Sequence, residues 1–128
     1  MCIRDRINPV VGDLEGNAKK ILYAASKASS TSADLVLTPE LSLWGYPAND
    51  LLLKKNLIKN QYKILDQLAL DINQKFGTLS ITVGIAEIIN DSFFPNLYNS
   101  IALLEDGEWK IIARKIILPT YEVFDEKR

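Results

Sequence analysis

Residues 33–47 read ADLVLTPELSLWGYP. ADLVLT is a short apolar run rich in β-formers, which predicts a buried strand over 33–38. Pro39 ends it. Proline fixes its own φ and restricts Thr38, so the chain leaves the strand in a stiff direction. Glu40 comes directly after, and a second apolar burst follows. In α/β sheets, function gathers beyond the carboxyl ends of strands, and Glu40 stands at such a point. A stiff mount is also what a positioned base requires. The plainer reading is a solvated loop glutamate or a cap for a short turn.

Outward from this strand, the pattern alternates. Upstream, residues 13–31 read as a helix: Asp13 can cap its start, and Ile21, Leu22, Ala25 and Ala28 recur at spacings of three and four. GDLEGN (12–17) lacks the spacing of a dinucleotide fingerprint or a Walker loop, so it reads as a turn and cap. Downstream, residues 39–50 carry two prolines, a glycine and AND, a loop signature. Residues 51–76 repeat the helical pattern through Leu57, Ile58, Leu65, Leu68, Ala69, Ile72 and Phe76, with Gly77 as the stop. TLSITVGIAEI (78–88) is a strand and NDSFFPN (90–96) a loop. LYNSIALLE (97–105) and WKIIARKIIL (109–118) flank an Asp-Gly turn, the signature of a hairpin. Trp44, Phe93, Phe94 and Trp109 read as packing residues, and the tail 119–128 as irregular. Strand–helix alternation closed by a hairpin predicts an α/β fold with a mixed sheet and helices on one face.

A strand before Asn8-Pro9 should be apolar, yet residues 4–6 are Arg-Asp-Arg. Such charges suit an exposed edge or a leader foreign to the fold. Residues 1–6 are read as the leader and 7–128 as the domain.

Composition narrows the chemistry. The chain has 128 residues, with 15 Lys and Arg against 16 Asp and Glu. That balance argues against a nucleic-acid or membrane-surface binder. No apolar run approaches a spanning helix. Cys2 is the single cysteine, which fits a reducing cytoplasm, and there is no histidine. Metal clusters and CxxC pairs are absent. Chemistry here must use carboxylates, lysines or tyrosines. Lys115 sits in ARKIILP, an apolar strand ending at Pro119. Alternation puts Ile111, Ala113 and Lys115 on one face, and Ile112, Arg114 and Ile116 on the other. A lysine aimed at a covered face needs a partner, and Glu40 is a candidate. Equally, Lys115 can snorkel at an edge. Tyr46, Tyr121, Glu122, Asp125 and Glu126 lie on loops after these elements, as pocket lining or as ordinary surface.

Four strings occur in one order: INPVVGDLEGNAKKI, ADLVLTPELSLWGYPANDLLL, LYNSIALL and RKIILPTYEVFDEKR. Together they resemble the start of the nitrilase (carbon–nitrogen hydrolase) superfamily. More closely, PELSLWGYPANDLLL and LPTYEVFDEKR resemble the branch of N-terminal glutaminase domains found in glutamine-dependent NAD synthetases. The resemblance covers about residues 7–128. It implies an αββα sandwich, incomplete here, and a Glu-Lys-Cys triad. Glu40 matches the glutamate and Lys115 the lysine, while the cysteine falls beyond residue 128. Tyr46, Tyr121 and Glu126 match pocket residues, Glu126 as the carboxylate orienting the lysine and Glu122 as its rival. The resemblance further implies glutamine as substrate, no metal or cofactor in this segment, and a synthetase domain elsewhere. That domain would use ATP and magnesium to amidate deamido-NAD, in a cytoplasmic homo-oligomer. Two departures stand out. Cys2 lies far upstream of the family's nucleophile, and Arg6 replaces the usual glutamine. A stand-alone amidase and a non-catalytic α/β assembly module remain the alternative readings.

Overall fold

A computed structural model describes residues 2–4, 9–10, 12–39, 41–45, 55–89 and 96–117. Its elements are β1 (Cys2–Arg4), α1 (Leu14–Ser30), β2 (Leu35–Leu37), α2 (Lys55–Phe76), β3 (Ser80–Ile89), β4 (Asn96–Glu105) and β5 (Glu108–Ile117). The five strands form one sheet in chain order. β1, β2 and β3 run parallel, while β4 and β5 turn back antiparallel. The mixed sheet follows from the alternation and the closing hairpin. β1 occupies an edge, a position that accommodates charged residues whatever the origin of the segment.

Local chemistry explains the helices. The Asp13 carboxylate accepts from the Gly16 N–H at 3.0 Å and so caps α1. Ile21, Ala25 and Ala28 form its buried stripe. On α2 the stripe is Ile58, Leu65, Leu68, Ala69 and Ile72. Both stripes meet Val36, Ile81, Val83, Ile85, Ala102 and Leu104 of the sheet in one core. These sheet residues share a face by register and alternation, so the helices cover that face. On the opposite face Leu37 and Ile101 are exposed, at 39% and 40%.

The β4–β5 turn is the predicted one. Asp106 and Gly107 have φ of 56° and 80°, and Glu105 pairs with Glu108 across them. Both residues left-handed is the two-residue turn whose twist matches a hairpin.

One expectation needs correcting. Strict alternation along β5 placed Ile111 on the face of Lys115. Instead Ile101 pairs with Ala113 while Ala102 pairs with Ile111, so Ile112 is the extra residue of a β-bulge. Ile111 therefore packs against the core, and Ile112 is turned outward. From residue 113 onward the alternation is reset. Ala113 and Lys115 still share a face, and Arg114 takes the other.

Candidate active site

The face away from the helices carries an open cavity of about 260 Å³. Register builds its floor. Gly84 of β3 pairs with Ile101 of β4, which pairs with Ala113 of β5. One step along, Asn99 pairs with Lys115. Asn99, Ile101, Ala113 and Lys115 line the cavity, and Thr38 and Pro39, just past β2, complete it; Arg114 borders it while its guanidinium lies with Glu87 on the opposite face. Lys115 is half-buried and Asn99 is buried. Thus the sheet brings Lys115 and the proline that precedes Glu40 to one hollow, across more than seventy residues of chain.

The turn after β2 is held by contacts from every side. Gly84 makes room for it. A Cβ there would stand 2.3 Å from the Leu41 nitrogen and 2.7 Å from the Pro39 carbonyl oxygen, both backbone atoms. Where β2 stops, this turn continues its pairing with β3. The Thr38 N–H donates to the Thr82 carbonyl at 3.3 Å and the Leu43 N–H to the Gly84 carbonyl at 3.1 Å. The Gly84 N–H donates to the Ser42 hydroxyl at 2.9 Å. Leu41 has φ of 49°, a left-handed conformation that disfavours a branched residue by about 1–2 kcal/mol. Its fully buried side chain offsets that strain.

Two buried amides lock the turn to the helices. Asn17 donates from Nδ2 to the Val10 and Leu43 carbonyls, at 2.8 and 2.9 Å, and accepts the Val10 N–H at 2.7 Å. Gln61 accepts from the Ala86 N–H at 2.9 Å and donates to the Ala86 carbonyl at 2.7 Å, so its amide replaces a strand neighbour. The Trp44 indole N–H donates to the same Gln61 oxygen. Sequence reasoning singled out neither residue. The signal was present: each is an amide on an otherwise apolar helical stripe, Asn17 between Leu14 and Ile21, Gln61 between Ile58 and Leu65.

On the helix-covered face sits a third network. Glu87 is buried, accepts from the Ser100 hydroxyl at 2.6 Å, and takes Arg114 Nε at 2.8 Å and Nη2 at 3.3 Å. Burial pushes the Glu87 carboxyl up. Hydrogen bonds from Arg114 and Ser100, with the guanidinium charge, outweigh that and hold it below the ordinary carboxylate range. Tyr62 of α2 lies nearby: burial first, then the Glu87 charge, raise its hydroxyl pKa. Its ring stacks on Trp109 with centroids 5.8 Å apart. Trp44 is fully buried, so both tryptophans are packing residues as expected.

Of the residues singled out from sequence, Lys115 is placed at the cavity. Glu40, Tyr46, Tyr121, Glu122, Asp125 and Glu126 lie outside the described residues, as do Phe93 and Phe94. The residues flanking position 40 are described: Pro39 lines the cavity, and Leu41 is fully buried. Among the described residues no group of three His, Cys, Asp or Glu can hold a metal ion. Among them, too, no helix is long and apolar enough to cross a membrane.

The family profile described as carbon-nitrogen hydrolase matches residues 6–128. The chain is 40% identical over 123 residues to the glutamine-dependent NAD(+) synthetase of Thermotoga maritima, covering 96% of this chain and 20% of that protein. The Synechocystis protein of the same name is likewise 40% identical over 123 residues, with 22% of its length covered. The chain thus spans about a fifth of the length of these curated relatives. Among solved structures, the glutamine-dependent NAD+ synthetase of Acinetobacter baumannii superposes with a TM-score of 0.72 at 34% identity, over 93% of this chain and 21% of that one. An amidase from Nesterenkonia sp. shares the fold with a TM-score of 0.66 at 20% identity, over 94% of this chain and 43% of its own.

Proposed function

Because the chain belongs to the carbon–nitrogen hydrolase family, we propose that it forms the first part of a glutaminase domain in a glutamine-dependent NAD synthetase. The observation that carries this reading is the shared cavity: Lys115 and Pro39, next to Glu40, line one hollow on the sheet. The relatives' names supply the substrate class.

The chemistry follows from the residue types. A side-chain amide is a poor electrophile, so a thiolate suits the attack, and its cysteine comes from a later part of the parent protein. Glu40 takes the thiol proton as sulfur adds to the glutamine carboxamide carbon. The carbonyl oxygen becomes an oxyanion, and the Lys115 ammonium stabilises it. The C–N bond then breaks. Glu40 returns the proton to the departing nitrogen, which leaves as ammonia, and a thioester remains. Water, deprotonated by Glu40, hydrolyses the thioester to glutamate and frees the thiol. Tyr46, Tyr121 and Glu126 complete the pocket, Glu126 orienting the lysine. A synthetase domain would use ATP and magnesium to amidate deamido-NAD with the released ammonia, in a cytoplasmic homo-oligomer. No step in the glutaminase half needs a metal.

The test uses the full-length parent with two nitrogen donors. Glu40→Gln and Lys115→Met are expected to lower glutamine-driven NAD formation by about a thousandfold. Ammonia-driven formation should stay near the wild-type rate. Equal loss with both donors, or undiminished glutamine-driven turnover, would refute the assignment.

A further inference from the structure

Arg114 and Lys115 are adjacent cations on a strand, so the sheet sends them to opposite faces. Which one reaches the cavity is a matter of register. Immediately upstream, the bulge at Ile112 has already reset the alternation once. Without the extra residue, Ile112 would pair with Ile101, and the two faces would be exchanged. Lys115 would then point at the helices and Arg114 at the cavity. Nothing within β5 decides between these arrangements. Isoleucines at 111, 112, 116 and 117 suit either face.

The deciding contact lies on the far side of the sheet. Glu87 of β3 reaches across β4 to Arg114 of β5, with Ser100 of β4 donating to the same carboxylate oxygen. One buried carboxylate thereby ties three strands, reaching diagonally to the Ser100–Arg114 pair. It presents two oxygens to the planar guanidinium, Oε1 to Nε and Oε2 to Nη2. Lysine's single ammonium does not match that fork. A slip by one residue would take the guanidinium away from Glu87 and set the Lys115 ammonium opposite Tyr98, the strand partner of Glu87. The ammonium cannot reproduce the two-point contact, so the buried carboxylate is less well compensated there than in the observed register.

We infer that Glu87 is a positioning residue that sorts the Arg114–Lys115 doublet. By holding the guanidinium on the helix-covered face, it sends the Lys115 ammonium into the cavity. Glu87 touches no reacting atom. The inference rests on the proposed role of Lys115 in glutamine hydrolysis.

Register sorting has a kinetic signature that general destabilisation lacks. If a variant divides between correct and slipped β5, the correct molecules keep normal affinity. The active fraction, and with it kcat, falls, while KM stays constant. In the full-length parent, Glu87→Gln and Arg114→Met should each lower glutamine-driven kcat by about tenfold, with KM for glutamine within about twofold. Labelling with an electrophilic glutamine analogue should show the same drop in titratable sites. The double variant should lose no more than the worse single one, because both substitutions break one contact. Ser100→Ala, which removes one hydrogen bond and leaves the ion pair, serves if the others fail to fold, and should lower the titre by about twofold. Arg114→Lys should restore little, since it loses the fork. A full titre of active sites in folded Glu87→Gln, a rise in KM without loss of kcat, or additive losses in the double variant would each overturn the inference. Absence of glutamine-driven turnover in the wild-type parent would instead overturn the functional reading beneath it.

Discussion

At the scale of single residues, three side chains and one missing side chain set the site. Gly84 is the missing one. Its bare Cα lets the backbone of Pro39, Leu41 and Ser42 lie on β3, closer than any Cβ permits. Gly84→Ala should therefore lift that turn, with an overpacking penalty of about 1–3 kcal/mol or more. Chemical denaturation would measure the loss, and glutamine-driven turnover of the parent should fall with it. An alanine variant as stable and active as the wild type would show that the turn does not need this close approach. Asn17 and Gln61 are the side chains that hold the same turn from the helices. They were legible in principle, as amides on apolar stripes. What a stripe cannot say is which distant carbonyl the amide will meet. Lys115 is the third, and its strand pattern pointed to a face but not to a cavity.

Among elements, helices were the most readable. Each carries its own periodicity and stop signals, so α1 and α2 fall where Asp13, Gly77 and the apolar repeats indicate. The hairpin was readable too, since Asp106-Gly107 encodes its turn locally. β5 was harder. Its bulge arises from pairing with β4 and has no signature within the strand, so Ile111 was assigned to the wrong face. The Glu87–Arg114–Ser100 tie across β3, β4 and β5 adds a pH dependence. Among the described residues, Tyr62 and Tyr98 are the other titratable groups interacting with this pair. Glu87 titrates below its ordinary range in the folded state, so folding favours its charged form. Its contribution is present in full above the ordinary carboxylate range and fades as the pH falls through that range towards its lowered folded value. Thermal melts of wild type and Glu87→Gln should differ at neutral pH and converge in acid. A gap that widens in acid would reverse the assigned sign.

At the scale of the whole molecule, the sheet is covered on one side only by described residues. Leu37 and Ile101 face outward on the other, Ile101 in the cavity lining. In an αββα sandwich that face packs against a second sheet. Cys2 is the single cysteine of this chain, and the proposed function gives it no catalytic role. The 128-residue chain incubated with glutamine is accordingly expected to release no ammonia, read by a coupled ammonia assay. Turnover that Cys2→Ala abolished would assign that thiol a catalytic role after all. The sequence alone determined the element types and order from α1 to β5, the mixed α/β class and the family, because periodicity, caps, turn pairs and motif strings reside in neighbouring residues. Only tertiary structure decided the bulge, the partners of Asn17, Gln61 and Glu87, and the meeting of Lys115 with the end of β2. Those depend on contacts between segments far apart in the chain, and no local window of residues contains both halves of such a contact.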